Sequence, residues 1–246
     1  MRALLTDLYR TVVPPRADPH GPLPPLMLTL TLITGLVDAV SYLGLGKVFV
    51  ANMTGNVVFL GFALTGADGL SALASVVSLA AFLTGALAGG RLASRFAANR
   101  GRMLAAMTAV QAVLVAVTVV AAATTGGEVT TTVRYVLIVF LGVAMGAQNA
   151  VARRLGVPDL TTTVLTLTLT GLAADSPTAG GKAPRPGRRI LSVLVMFLGA
   201  LAGAVLIESG RFTLLLGIVL ALIVATSVAA YRLSASGADW TRPPAS

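Results

Sequence analysis

The residues of this chain with the clearest capacity for chemistry are polar side chains set inside apolar sequence. Asp38 stands in the stretch TGLVDAVSY, and Asn52, Thr54 and Asn56 follow in VFVANMTGNVVFL. A carboxylate inside an apolar segment predicts a site that couples to protons or attracts a cation. Two other roles stay open for Asp38, which are capping a broken helix nearby and pairing with Lys47.

The NMTGN cluster, residues 52–56, is suited to interrupt a helix. Asn and Gly both tolerate the backbone angles of a chain break. An unwound centre would expose backbone donors and acceptors beside the two amide side chains. We therefore predict a path for a polar solute or ion at this cluster. The alternative is a polar contact between helices, which is worth about 0.6 kcal/mol on average in membranes.

A second set of polar residues lies in the other half of the chain. Gln148 and Asn149 echo the position of Asp38 without its charge, and Asp159 precedes a run of threonines at positions 161, 162, 163, 166, 168 and 170. Asp159 is a candidate N-cap, and the threonines either line a path or bond back to their own helix. The predicted substrate path comprises Asp38, Ser41, Asn52, Thr54, Asn56, Gln148, Asn149 and Thr162.

The composition predicts that the elements carrying these residues are membrane helices. The 246 residues are 56% hydrophobic and only 11% charged, whereas soluble domains carry about 25% charged residues. The net charge of +9 is explained by basic loops at a membrane and not by nucleic acid binding. Eight apolar segments occur, at 24–43 (A), 48–65 (B), 71–90 (C), 103–123 (D), 133–152 (A′), 160–174 (B′), 190–208 (C′) and 212–231 (D′).

The distribution of Lys and Arg favours six membrane spans. If B and B′ enter and return on the same side, fifteen of the 18 basic residues are cytoplasmic and only Lys47, Arg134 and Arg211 lie outside. Eight spans would give a split of ten to eight, and seven spans, with only B crossing and the N-terminus outside, would give thirteen to five. The positive-inside rule therefore predicts six transmembrane helices and two re-entrant or broken segments. The seven-span arrangement remains the alternative.

The two halves of the chain resemble one another about 110 residues apart. FLTGALAGG at 82–90 matches FLGALAGA at 197–204 after one gap, and DAV at 38–40 matches NAV at 149–151. Because each half has three spans, the halves insert in opposite directions and form a 3+3 inverted repeat, as in many transporters. The predicted organisation is a cytoplasmic lead-in with an interfacial helix (1–23), a first repeat (24–126), a second repeat (127–232) and a cytoplasmic tail (233–246).

Small residues and missing motifs complete the pattern. Three GxxxG pairs predict close helix packing, within the bundle or between two copies of the chain: Gly85 with Gly89, Gly142 with Gly146, and Gly199 with Gly203. The sequence has no cysteine, and it carries no metal-ligand cluster, nucleophile–base arrangement or phosphate-binding glycine loop. Neither an enzyme nor a bound cofactor is predicted.

The stretch GLVDAVSYLGLGKVFVANMTGNVVFLGFAL is similar to the N-terminal signature of the YoaK-like family of uncharacterised bacterial membrane proteins. A G-x-x-D-A-x-S-x-L segment of that signature is matched by Gly35, Asp38, Ala39, Ser41 and Leu43. The N-M-T-G-N segment that follows is matched by residues 52–56. The resemblance implies a multispan protein of the bacterial plasma (inner) membrane and adds no substrate.

These patterns together predict an all-α membrane protein that acts as a transporter or channel for a small polar solute or ion. Its path would run at the midplane between B and B′, with both chain termini in the cytoplasm. The alternative is a structural or interaction protein of the membrane that moves nothing. A wettable polar cavity between B and B′ would favour transport, whereas a dry and fully packed midplane would favour the alternative.

Overall fold

The computed structural model describes residues 2–15, 18–160, 162, 165–181, 185–235 and 238–242. Within these ranges all regular secondary structure is helical and there is no β-strand, which confirms the predicted all-α class. The α-helices are α1 (Arg2–Val12), α2 (Leu23–Ala39), α3 (Met53–Leu64), α4 (Ala72–Arg95), α5 (Arg100–Thr124), α6 (Thr131–Leu155), α7 (Leu165–Ala174), α8 (Pro186–Glu208) and α9 (Phe212–Ser234).

Six of these helices are long and apolar enough to cross a membrane. They are α2 with the π-helical turn Val40–Gly44 that continues it, α4, α5, α6, α8 and α9, each 22 to 25 residues long. At about 1.5 Å per residue they match a hydrocarbon core of about 30 Å. The six long spans predicted from the sequence are confirmed. α3 and α7 are apolar too, but they have only 12 and 10 residues.

Local sequence signals set several ends of the long helices. The side chains of Ser71, Asn99 and Thr130 each accept a hydrogen bond from a first-turn amide of α4, α5 and α6, at 3.2, 2.9 and 3.3 Å. Such caps satisfy amides that have no partner inside the helix. α6 is terminated after Leu155 by Gly156, whose φ of 61° lies in the left-handed region that glycine adopts without strain.

Two helix crossings bring backbones into direct contact, because glycines leave no side chain between them. α4 packs on α6, and α2 packs on α8. An added Cβ would collide with the facing helix at Gly85, Gly89, Gly142 and Gly146 in the first crossing and at Gly35, Gly199 and Gly203 in the second. Small residues permit this close approach between membrane helices. The GxxxG pairs are therefore used within the chain.

The rest of the bundle combines a buried core with an apolar outer surface. α5 packs on both α6 and α9, and Leu104, Met107 and Leu141 are fully buried there. Large apolar side chains on the outside are exposed, with Leu83 65% and Phe197 59% accessible. An exposed apolar surface of this kind fits contact with lipid.

Candidate functional site

A cavity of about 770 Å³ lies between the two short helices. Asp38 of α2 lines it together with residues 52–55, where α3 begins, and with Leu165 and Thr166, where α7 begins. The rest of the wall consists of Ala51, Val58, Phe59, Phe82 and Met196. Two helix N-termini and one carboxylate thus meet at a single cavity.

Asp38 is positioned where α2 changes its helix type. The α-helix ends at Ala39 and continues as the π-helical turn Val40–Gly44; such turns occur often at functional sites. Asp38 is 8% exposed, and its Oδ1 is buried without a hydrogen-bond partner among the described residues. No ion pair of the described residues involves Asp38, so pairing with Lys47 is not formed. A buried carboxylate without a partner is costly and indicates a site.

α3 begins at Met53 because Asn52 leaves the helical conformation. Asn52 has φ −99° and ψ 80°, and its side chain makes no capping bond. The first amides of a helix have no partner within it, so the first turn of α3 brings free donors to the cavity. α3 therefore starts directly after the first residue of the NMTGN cluster, so residues 53–56 are helical and not unwound as expected, and the helix begins five residues later than segment B.

Asn56 differs from Asn52 because its side chain is fully buried in protein. Its Nδ2 donates to the carbonyl of Phe49 at 2.5 Å, and its Oδ1 accepts from the Phe49 amide at 2.9 Å. Nδ2 also donates to Oγ of Ser78 at 3.2 Å, and that hydroxyl donates to the Phe49 carbonyl at 2.6 Å. Asn56 thus holds the non-helical segment before α3 against α3 and α4.

Gln148 belongs to a buried hydrogen-bond network that links three helices. It lies outside the described lining of the cavity. Its Nε2 donates to Oγ1 of Thr34 on α2 at 3.0 Å, and its Oε1 accepts from Nε2 of Gln111 on α5 at 2.8 Å. Oε1 of Gln111 is buried and has no partner among the described residues. Gln111 was not among the predicted residues, although a single amide within an apolar span is a signal that could have identified it.

Ser41, Asn149 and Thr162 also lie outside the described lining of the cavity. Ser41 donates to the carbonyl of Asp38 at 3.2 Å, and Asn149 donates to the carbonyl of Met145 at 2.9 Å. Thr162 is 2% exposed and has a φ of 67°. Its hydroxyl has no partner within the described residues. Thr161 and Thr163 of the predicted threonine run lie outside the described residues.

Arg189 of α8 connects the two sides of α7. Its Nε lies 2.8 Å from Oδ1 of Asp159, which precedes α7, and its NH1 group lies 2.7 Å from Oδ2 of Asp175, which follows it. Asp159, considered above as an N-cap, uses its carboxylate for this pair. The arginine therefore fixes the segment that carries α7 against α8. Arg189 was not among the predicted residues, because its two partners lie 30 and 14 residues away in the sequence.

A second buried polar cluster surrounds Arg100, the first residue of α5. Arg100 is 2% exposed and donates to the carbonyls of Leu155 and Trp240. It also lies 3.2 Å from Nδ1 of His20, a contact that requires this nitrogen to be unprotonated. Burial, followed by the charge of Arg100, lowers the pKa of His20 below its usual 6.5. The cluster joins the lead-in, α5 and the end of α6.

The six long apolar helices and their apolar outer surface define an α-helical multispan membrane protein. A protein-family model described as "Protein of unknown function (DUF1275)" matches residues 26–227, so the chain belongs to this family.

Among curated proteins, the chain is similar to the "UPF0700 transmembrane protein YoaK" of Bacillus subtilis (strain 168). The two are 33% identical over 150 residues, which cover 61% of this chain and 65% of the relative, slightly less than two thirds of its length. The resemblance to YoaK-like proteins is confirmed. No solved structure matches the chain.

Proposed function

We propose that the chain is a transporter or channel that carries a small polar solute or ion through the cavity between α3 and α7. The observation that carries this proposal is the unpartnered carboxylate oxygen of Asp38 beside a cavity of about 770 Å³. A purely structural midplane would be expected to pack densely and to pair each buried polar atom. The cavity therefore favours transport over a structural or interaction role.

The lengths of α3 and α7 support two re-entrant or broken segments. With 12 and 10 residues, they extend about 18 and 15 Å, which is well short of the roughly 30 Å of a bilayer core. Non-helical backbone at membrane depth is tolerated where protein or a water-filled cavity surrounds it. The starts of both helices line the same cavity. This is expected if the two segments enter the membrane from opposite sides and the N-terminal ends of α3 and α7 meet near its middle.

The two glycine crossings support an inverted repeat, because equivalent residues make equivalent contacts. A Cβ on Gly35 would meet the carbonyl of Met196, and a Cβ on Gly146, 111 residues later, would meet the carbonyl of Phe82. If Gly85 is aligned with Gly199 and no gap is placed between residues 82 and 85, Phe82 is the counterpart of Met196. Both of these residues line the cavity, so the cavity would lie on the internal twofold axis. This is the usual position of transporter binding sites.

In the proposed arrangement both termini are cytoplasmic, and the chain lies in the plasma membrane of a bacterium. Substrate translocation in this scheme needs no catalytic residue and no cofactor. The glycines used within the bundle leave any association between copies to other surfaces.

Single cysteines test the cavity directly, because the chain has none of its own. Thr54→Cys introduces a thiol at the cavity, whereas Val57→Cys introduces one on the same helix at a position that is 59% exposed and outside the cavity lining. In proteoliposomes, a charged thiol reagent should modify the first variant from water and leave the second, which faces lipid, unmodified. If both cysteines react equally slowly, the structural alternative is favoured.

The same approach tests the membrane arrangement. Asp68→Cys and Glu128→Cys should react with an impermeant reagent added outside whole cells, and Thr178→Cys should react only after the cells are opened. All three positions are exposed and lie between the long helices. A cytoplasmic location of residue 68 would contradict a re-entrant α3 and favour the eight-span arrangement with the N-terminus inside.

A further inference from the structure

We propose that the cavity binds a small zwitterionic solute, whose anionic group contacts the first-turn amides of α3 and whose cationic group pairs with Asp38. This inference rests on the proposed function, since the same cavity is its binding site. It specifies the chemical class of the solute that enters.

The anionic end of the solute is assigned to the start of α3. Asn52, the N-cap residue, makes no capping bond, and residues 52–55 all line the cavity. The first residues of α7, Leu165 and Thr166, line the same space. A helix N-terminus carries about half a positive charge and free amide donors, which together favour an anion. Two such termini at one cavity strengthen this preference.

The cationic end is assigned to Asp38. This residue is the only one with an ionisable side chain among the described residues lining the cavity. It is more than nine-tenths buried, with 8% of its surface exposed, and its Oδ1 has no partner among the described residues. An ammonium group would supply the opposite charge and the hydrogen-bond donors that a buried carboxylate needs.

The two ends together discriminate between classes of solute. A simple cation would gain from Asp38 but would meet the positive ends of two helices, and a simple anion would gain from the helices but would meet the carboxylate. A solute with both charges satisfies both sides of the cavity. The volume of about 770 Å³ is also typical of sites for small organic molecules. Phe59, Phe82 and Met196 provide apolar walls for the rest of such a solute.

Binding to the purified full-length protein, measured by isothermal titration calorimetry, tests the class of solute. The probes are the protein amino acids and glycine betaine, each compared with an analogue that lacks one charge. For leucine these analogues are 3-methylbutylamine and 4-methylpentanoate, and for glycine betaine they are ethyltrimethylammonium and 3,3-dimethylbutanoate. At least one zwitterion should bind about tenfold or more tightly than either of its analogues, since each analogue lacks one of the two buried charged interactions.

Two variants assign the charges to their partners. Asp38→Asn should weaken binding of the zwitterion about tenfold or more and leave binding of its acid-only analogue unweakened. Met53→Pro removes one amide at the first position of α3, where proline is tolerated. This variant should weaken both the zwitterion and the acid-only analogue. Met53→Ala shortens the same side chain and keeps the amide, so the difference between the two variants measures the amide.

The outcomes separate this inference from the proposed function. Equal affinity for zwitterions and acids, or for zwitterions and amines, would refute the preference for zwitterions. The proposed function of the cavity as a solute path would then still hold. Absence of binding by every class, together with an unreactive Thr54→Cys, would overturn the transport function as well. The comparison of analogues on the unmodified protein decides the class even if a variant fails to fold.

Discussion

Replacing Asn56 by alanine should destabilise the protein strongly. The Asn56 side chain bonds to both backbone groups of Phe49, accepting from its amide at 2.9 Å and donating to its carbonyl at 2.5 Å. In the Asn56→Ala variant the Phe49 amide loses its partner inside the protein. The Phe49 carbonyl keeps the bond from Ser78, at 2.6 Å.

The magnitude follows from these contacts. A buried donor left without a partner costs about 1–3 kcal/mol, and the lost bond to the carbonyl adds about 0.5–1.5 kcal/mol. The free energy of unfolding should therefore decrease by about 2–4 kcal/mol. For a chain of this size, 1 kcal/mol corresponds to about 2–4 °C in the midpoint of thermal unfolding. The midpoint of Asn56→Ala should thus fall by about 5–15 °C.

Thermal unfolding of the purified protein in detergent, followed by far-UV circular dichroism, measures this shift. Asn52→Ala is the matched control, because it removes the same group from an exposed residue that makes no capping bond. Its midpoint should stay within about 2 °C of the unmodified protein, as for other substitutions away from buried contacts. The proposed anchoring role is refuted if Asn56→Ala has the same unfolding midpoint as the unmodified protein. It is also refuted if Asn52→Ala lowers the midpoint as much as Asn56→Ala does.

Two further predictions concern helix packing and pH. Gly146→Ala should destabilise the protein by about 1–3 kcal/mol, because its Cβ would collide with α4. Gly90→Ala, where a Cβ meets open space, should be neutral or stabilising by up to about 1 kcal/mol; equal circular dichroism midpoints would contradict the packing argument. Because the folded protein holds the pKa of His20 below its usual 6.5, the unfolded chain binds a proton first as the pH falls. Stability should therefore decrease below about pH 6.5, and His20→Gln should reduce that decrease; identical pH dependence of the two unfolding midpoints would exclude a contribution of His20.

The long helices could be predicted from the sequence because hydropathy and length specify them, but the start of α3 could not. Segment B was predicted from residue 48, and α3 begins at Met53. The intervening residues are not helical, yet Val48 and Val50 are almost completely buried in the protein. An apolar loop packed inside the bundle has the same hydropathy as the first turn of a membrane helix. Only the tertiary contacts distinguish the two.

The candidate site could be predicted only in part, for a similar reason. Asp38, Asn52 and Thr54 line one cavity, and all three were selected because polar residues in a membrane segment are costly. The same criterion selected Asn56, whose role depends on the Phe49 backbone seven residues earlier. The criterion could have identified Gln111 as a buried polar residue. It could not have identified the partner of Gln111, because Gln148 lies 37 residues away in the sequence. Polarity identifies such residues, whereas the fold determines which of them faces the cavity.

Trp240 is the single tryptophan of the chain, and its surroundings determine what its fluorescence reports. Its ring fills the space beside Gly21 and Gly101, where an added Cβ would collide with it, and its carbonyl contacts Arg100. The residue is 9% exposed, so release of the segment 238–242 would move the indole from protein into water. An intrinsic-fluorescence transition in this protein would therefore record the departure of that segment. A bundle with an intact cavity would register as unfolded by fluorescence and as folded by circular dichroism.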